Sequence, residues 1–203
     1  MANLVLVRHG ESLWNKKGLW TGLTDIGLSE KGEEEARTVG QKLKGFPIDL
    51  AYTSVLLRAK QTLDEIKSIL NLDLPTFESA ALNERNYGIF TGKNKWEIQK
   101  IVGKEKFQSI RRGWDSPIPE GETLKDVYNR VISYYKSEIL PKLKKGKNIL
   151  IVAHGNSLRA LVKYLDNLSD NEVEKLEIAT GEIYIFDIGK NGNIISKKAV
   201  SID

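Results

Sequence analysis

Cysteine is absent from the 203 residues. That excludes a disulfide framework, a thiol nucleophile and any cysteine-based metal site. Histidine is scarce, with two in the whole chain, and no carboxylate-histidine cluster of the metal-hydrolase kind is seen in the sequence. Long hydrophobic runs are missing as well. The longest apolar stretches are strand-length, short of the about 20 residues that cross a bilayer. The N-terminus carries no basic-then-apolar leader, and an intracellular, cytoplasmic protein is expected from that. A large charge of one sign is also lacking. The net charge is +4, and the lysines are scattered through helical stretches in the manner of a solvated surface. Neither an aromatic-rich RNA motif nor zinc-ligand spacing accompanies them. The expectation is therefore no nucleic-acid partner, no membrane partner and no metal. What is present, 40% hydrophobic and 29% charged residues, suits a globular domain long enough to bury a core.

Chemistry concentrates where one strand stops. Leu4 to Val7 are apolar and rich in β-branching, the pattern of a buried parallel strand. They give way to Arg8, His9 and Gly10. In open α/β folds, ligands bind just beyond the carboxyl ends of such strands. An imidazole is close to neutral at physiological pH, and a guanidinium beside it is a permanent forked cation. That combination suits nucleophilic attack on an anionic phosphoryl group and suits a metal ion poorly. The second histidine repeats the context: Ile149 to Ala153 is apolar, followed by His154, Gly155 and a small polar residue able to cap a helix. If the two strands are neighbours, both imidazoles face one pocket.

The rest of the chain alternates strand and helix patterns. A long loop, Trp14 to Asp25, follows the first strand, and loops of that length tend to be functional. Ser29 is a helix cap, with the helix ending near Gly45. A strand from Ile48 to Thr53 leads to a second helix, for which Ser54 is the expected cap. Leu74 to Glu78 is a weak third strand. Residues 83–122 break the pattern with short helical pieces, and are expected to lie over one edge of the sheet as an excursion covering the site. Thr123 opens a long helix to about Lys144. Glu182–Asp187 and Ile194–Val200 read as an antiparallel pair around the turn Lys190–Asn193. The pattern predicts one α/β domain, residues 1–203, with helices on both faces of a mostly parallel sheet.

Phosphoryl transfer needs fixed cations around its nucleophile. Arg58, just past a strand end and near a helix N-terminus, fits that need, and Arg111-Arg112 is a weaker candidate. Release of an alcohol oxygen also needs an acid. Glu84 is one choice. Glu11 is the other acid close to His9, and orienting Arg8 is an equally good reading of it.

The segments RHGES, TGLTDIGLSEKG, SVLLRAKQT, ERNYGIFTGKNK, RRGW, EGETL and AHGNSLRALVKYLD together resemble the cofactor-dependent phosphoglycerate mutases of the histidine phosphatase superfamily. The likeness runs from about Leu4 to Ile185. It implies a three-layer α/β/α sandwich and an isomerase of glycolysis and gluconeogenesis. Such an enzyme interconverts 2- and 3-phosphoglycerate through a phosphohistidine on His9, primed by 2,3-bisphosphoglycerate as cofactor. By matching motif positions, Arg8, Arg58 and His154 would surround the phosphoryl group, with Glu84 as proton donor and acceptor. Ser12, Asn15, Thr21, Gly22, Tyr87, Lys95, Arg111, Arg112, Gly155 and Asn156 would hold phosphates and the substrate carboxylate. Two departures stand out: the connection between RRG and EGETL is reduced to Trp114–Glu120, shorter than in long mutases, and the tail after the last strand is short. Asn86, where those usually carry histidine, is a smaller deviation that leaves the catalytic set intact. A shorter cover admits more water, so minor phosphatase activity is expected, and a phosphatase of small phosphomonoesters or bisphosphoglycerate is the alternative. Both a monomer and a homo-oligomer remain open.

Overall fold

The computed structural model describes residues 1–202; Asp203 lies outside the described residues. Six strands form one sheet: β1 (Ala2–Arg8), β2 (Leu50–Thr53), β3 (Thr76–Glu78), β4 (Ile149–Ala153), β5 (Ile183–Ile188) and β6 (Ile194–Val200). Their order is β3-β2-β4-β1-β5-β6. β1 pairs parallel with β4, β4 with β2, and β2 with β3. β5 runs against both β1 and β6. The sheet is thus mixed but mostly parallel, and its last two strands are the antiparallel pair read from the Lys190–Asn193 turn.

Period-two alternation along the central strands produces the layers. Leu4, Leu6, Ile149 and Ile151 enter one core, while Val5, Val7, Leu150 and Val152 enter the other. Each of these side chains is at most 1% exposed, and burying one fully is worth about 1.5–3 kcal/mol. On the first face pack α6 (Leu124–Tyr134), α7 (Leu140–Lys144) and α8 (Gly155–Leu165), which contribute Val127, Val131, Leu143, Leu158 and Leu161. On the second pack α2 (Glu30–Lys42) and α3 (Leu57–Leu70), through Val39, Leu63 and Ile66. This is the three-layer sandwich expected from the motifs.

Helix starts were mostly readable. Ser29 caps α2 by accepting from the Gly32 amide, and Thr123 caps α6 in a reciprocal box with Asp126. The expected continuous helix from Thr123 to Lys144 holds, with one wide turn at Tyr135–Ile139 just before Pro141. Two caps differ from expectation. α3 begins after Leu56 with no side-chain cap; Ser54 lies two residues earlier, its hydroxyl 2.7 Å from His154 Nε2 and accepting from the Leu56 amide at 3.2 Å. α8 is capped at His154 itself, whose amide donates to the Ser157 hydroxyl at 3.1 Å.

Residues 83–122 are the segment expected as an excursion. Within it, α4 (Lys95–Val102) and α5 (Lys104–Arg112) close around Trp20, Tyr87, Phe90, Ile98 and Phe107. The loop after β1 holds the short α1 (Leu13–Lys16), and α9 (Asp170–Lys175) precedes β5. Close approach sets the turn after β1: a Cβ on Gly10 would lie 2.1 Å from the Gly32 carbonyl oxygen, so only glycine brings α2 this near the strand end.

Candidate active site

The parallel register pairs Arg8 with Ala153. The residue after each strand end is therefore a histidine, and the two rings meet edge to face with centroids 4.9 Å apart. The His9 amide donates to the Ala153 carbonyl at 3.0 Å, locking the two strand ends together. His9 Nδ1 lies 2.7 Å from the Gly10 carbonyl oxygen. A carbonyl only accepts, so Nδ1 carries the proton and Nε2 keeps its lone pair. Burial, then the charges of Arg58 and Arg8, hold the His9 pKa well below its usual value, against a smaller upward pull from the Gly10 carbonyl. The ring is therefore neutral at physiological pH, with its lone pair on Nε2. Burial, Arg58, His9 and Arg8 likewise depress His154. Its Nε2 lies 2.7 Å from the Ser54 hydroxyl, while its buried Nδ1 has no partner.

In front of His9 opens a cleft of about 650 Å³. Arg8, Arg58, Lys95, Arg111, Arg112 and Arg159 line it, against only two carboxylates, Glu84 and Glu177. That imbalance is the signature of an anion site. Arg58 is held by the carbonyls of Thr24 and Gly22 at 3.0 and 2.9 Å. Its burial brings its pKa down to about 10, so it stays charged at neutral pH. Arg8 donates to the Ile178 carbonyl at 2.5 Å. The Arg8 Nε and the Thr21 hydroxyl are buried without a partner, two polar groups on the cleft wall still open to a ligand.

Glu84 is oriented with care. Its Oε1 accepts from the Arg85 amide at 2.7 Å, the Asn156 amide at 3.2 Å and Asn156 Nδ2 at 2.9 Å. The second oxygen, Oε2, has none of these donors and approaches the start of α8 at Gly155. Asn156 Nδ2 also donates to the Tyr87 hydroxyl at 2.8 Å, and Asn156 Oδ1 accepts from Arg159 at 2.9 Å.

Of the residues expected from the motifs, Arg8, His9, Asn15, Thr21, Gly22, Arg58, Glu84, Tyr87, Lys95, Arg111, Arg112, Gly155 and Asn156 all line the cleft. Ser12 and His154 do not. Ser12 is buried and bonds Asn15, whose amide it caps, and His154 sits against the His9 ring. Glu11 does not orient Arg8. Its carboxylate accepts from the Ser29 hydroxyl at 2.8 Å and steadies the start of α2. Trp20, Arg159, Glu177 and Ile178 line the cleft without having been singled out. Arg159 was within reach of sequence reasoning, since it stands one helical turn after Asn156. Arg85 was also missed: fully buried, it grips the Ile110 and Arg111 carbonyls at 2.8 and 3.0 Å and anchors the end of α5. Among the described residues, no three potential metal ligands are grouped to hold an ion, and no helix is long and apolar enough to cross a membrane.

Known proteins resemble this chain along nearly its whole length. The family model described as histidine phosphatase superfamily (branch 1) matches residues 4–200. A 2,3-bisphosphoglycerate-dependent phosphoglycerate mutase of Chelativorans sp. (strain BNC1) is 48% identical over 198 residues, covering 96% of each chain. A phosphoglycerate mutase of Schizosaccharomyces pombe is 46% identical over 200 residues, 97% of this chain and 95% of its own. Bacillus stearothermophilus YhfR shares the fold, with a TM-score of 0.84 at 24% identity over 96% of this chain and 94% of its own. A match from the first strand to the last, with relatives near half identity, places the chain in a family: it belongs to the histidine phosphatase superfamily, branch 1, among the 2,3-bisphosphoglycerate-dependent phosphoglycerate mutases.

Proposed function

We propose that this protein interconverts 2- and 3-phosphoglycerate by way of a phosphohistidine on His9, the step shared by glycolysis and gluconeogenesis. The observation that carries the reading is a cleft in which Arg8 and Arg58 beside His9 are joined by Lys95, Arg111, Arg112 and Arg159, with Glu84 among them. A phosphatase of simple monoesters needs fewer cations than these. In this reading residues 1–203 work as one unit, and 83–122 cover the site.

The His9 Nε2 lone pair attacks phosphorus as the ester P–O bond breaks, and Arg8 and Arg58 take up the charge that spreads over the phosphoryl oxygens. A Ser54 hydroxyl donating to His154 Nε2 leaves the His154 proton on Nδ1, and the ring stands edge to face against His9. The leaving oxygen takes its proton from Glu84 Oε2. In the return step the neighbouring hydroxyl gives its proton to that same oxygen while it attacks the phosphohistidine. Bound 2,3-bisphosphoglycerate supplies the phosphoryl group that first loads His9. The partnerless Arg8 Nε and Thr21 hydroxyl, with the cations Lys95, Arg111 and Arg112 in the same cleft, fit such a doubly anionic ligand. Fixed cations do the charge work throughout, so a chelator is expected to leave the rate unchanged.

A coupled assay on 3-phosphoglycerate, with and without 2,3-bisphosphoglycerate and with phosphate release followed in parallel, tests the reading. Interconversion that requires bisphosphoglycerate, beside slow hydrolysis through the short Trp114–Glu120 cover, is the expected result. Phosphate release outrunning interconversion would make the protein a phosphatase instead.

Lys95 adds a pH signature. Burial first, then Arg111 and Arg8, push its pKa down to about 8, with Glu84 opposing. Lysine is charged below its pKa and neutral above. The free enzyme's kcat/KM for 3-phosphoglycerate is therefore expected to fall as the pH rises past about 8. In Lys95→Arg, whose guanidinium stays charged, that alkaline fall should disappear. A profile unaltered by the substitution would assign the limb to another group.

A further inference from the structure

Glu177 is an oddity in an anion site. Its carboxylate lines the cleft, 2.5 Å from Arg112 and 3.7 Å from Arg111, and its side chain is 64% exposed. Burial raises its pKa, but Arg112 and then Arg111 outweigh that, and the net shift is downward, toward the charged form. The segment that carries it lies between α9 and β5 and touches three cleft arginines in succession. The Leu176 carbonyl accepts from Arg112 at 3.2 Å, Glu177 pairs Arg112 and Arg111, and the Ile178 carbonyl accepts from Arg8.

The main chain beneath both arginines, and the Arg112 guanidinium itself, are held without Glu177. Arg85 and Arg159 grip the main chain of the α5 end through the carbonyls of Ile110, Arg111 and Arg112, and the Leu176 carbonyl holds the Arg112 guanidinium. The carboxylate therefore occupies these cations rather than building them. We propose that Glu177 is a resident stand-in for the ligand's second anionic group, and that its carboxylate must swing off Arg111 and Arg112 before that group can dock. A carboxylate or phosphate arriving on the arginines reproduces the charge-assisted bonds that Glu177 gives up. An exposed ion pair is weakly held, which makes the exchange feasible. The role makes Glu177 a specificity-determining residue: it weakens every ligand that needs Arg111 and Arg112 and leaves phosphates that do not use them nearly untouched.

The inference rests on reading the cleft as a phosphoglycerate site, and binding rather than turnover tests it. Calorimetric titration of the wild type and Glu177→Gln with 3-phosphoglycerate and with glycerol 3-phosphate, which lacks the carboxylate, separates the effects. Glu177→Gln should bind 3-phosphoglycerate about 5-fold more tightly and glycerol 3-phosphate less than about 2-fold more tightly. Weaker or unchanged 3-phosphoglycerate binding would make Glu177 a positioning residue for the arginines and overturn the proposal, as would equal tightening of both ligands. A wild type that binds 3-phosphoglycerate without turning it over would count against the mutase reading alone, and the sign of the Glu177→Gln effect would still decide this one. No binding of 3-phosphoglycerate to either form would overturn both.

Discussion

Replacing His9 with alanine is expected to lower phosphoglycerate interconversion by about 10⁴-fold or more, the scale on which loss of a covalent nucleophile acts. Three features favour His9 as the nucleophile of the proposed reaction. It is the residue just past the carboxyl end of β1, its Nδ1 is committed to the Gly10 carbonyl at 2.7 Å, and burial, then Arg58 and Arg8, favour the neutral ring. His154 cannot substitute, since it lies outside the cleft lining and its Nε2 is engaged by Ser54. The folded state should survive. His9→Ala loses one hydrogen bond and leaves one carbonyl unpaired, a cost of no more than about 3 kcal/mol. Steady-state rates together with a thermal melt check both halves. A His9→Ala protein that melts cooperatively yet keeps more than a hundredth of the wild-type rate would remove His9 from the chemistry.

Glu84→Gln is expected to cost about 10²- to 10⁴-fold, the usual span for loss of a general acid and base. The geometry makes this an unusually clean substitution. All three donors, the amides of Arg85 and Asn156 and the Asn156 side chain, converge on Oε1. A glutamine carbonyl in that place accepts from the same donors. Only Oε2, the atom that would move the proton, changes its chemistry. Binding of 3-phosphoglycerate should therefore be retained while kcat falls, and the melting temperature should stay within a few degrees. Activity within 10-fold of wild type would return the acid's role to another group.

Much of this site was readable before the fold because strand ends announce themselves. Four apolar residues followed by Arg-His-Gly, and five followed by His-Gly, are local patterns, and the parallel register of β1 with β4 then brings the histidines together. Ser29 and Thr123 were legible as caps for the same local reason. Residues whose role is set by tertiary contact were not. Ser54 looks like a helix cap in sequence, and only the approach of β4 to β2 gives its hydroxyl to His154. Glu11 looks like a partner for Arg8, but the turn at Gly10 carries it to Ser29. Arg111 and Arg112 read as an ordinary basic helix end, with the family likeness alone marking them; the packing of α5 then brings them to the cleft. Glu177 had no local signal at all, since it reaches the site through the segment leading into β5.

The central claim is that one imidazole carries the phosphoryl group while the other steadies its passage. Incubation with 2,3-bisphosphoglycerate, followed by intact-mass measurement and peptide mapping under alkaline conditions, tests it most directly. One phosphoryl group per chain, on the peptide that contains His9 and absent from the peptide that contains His154, is the predicted result. Label on His154, or a fully active enzyme that never carries label, would contradict the account.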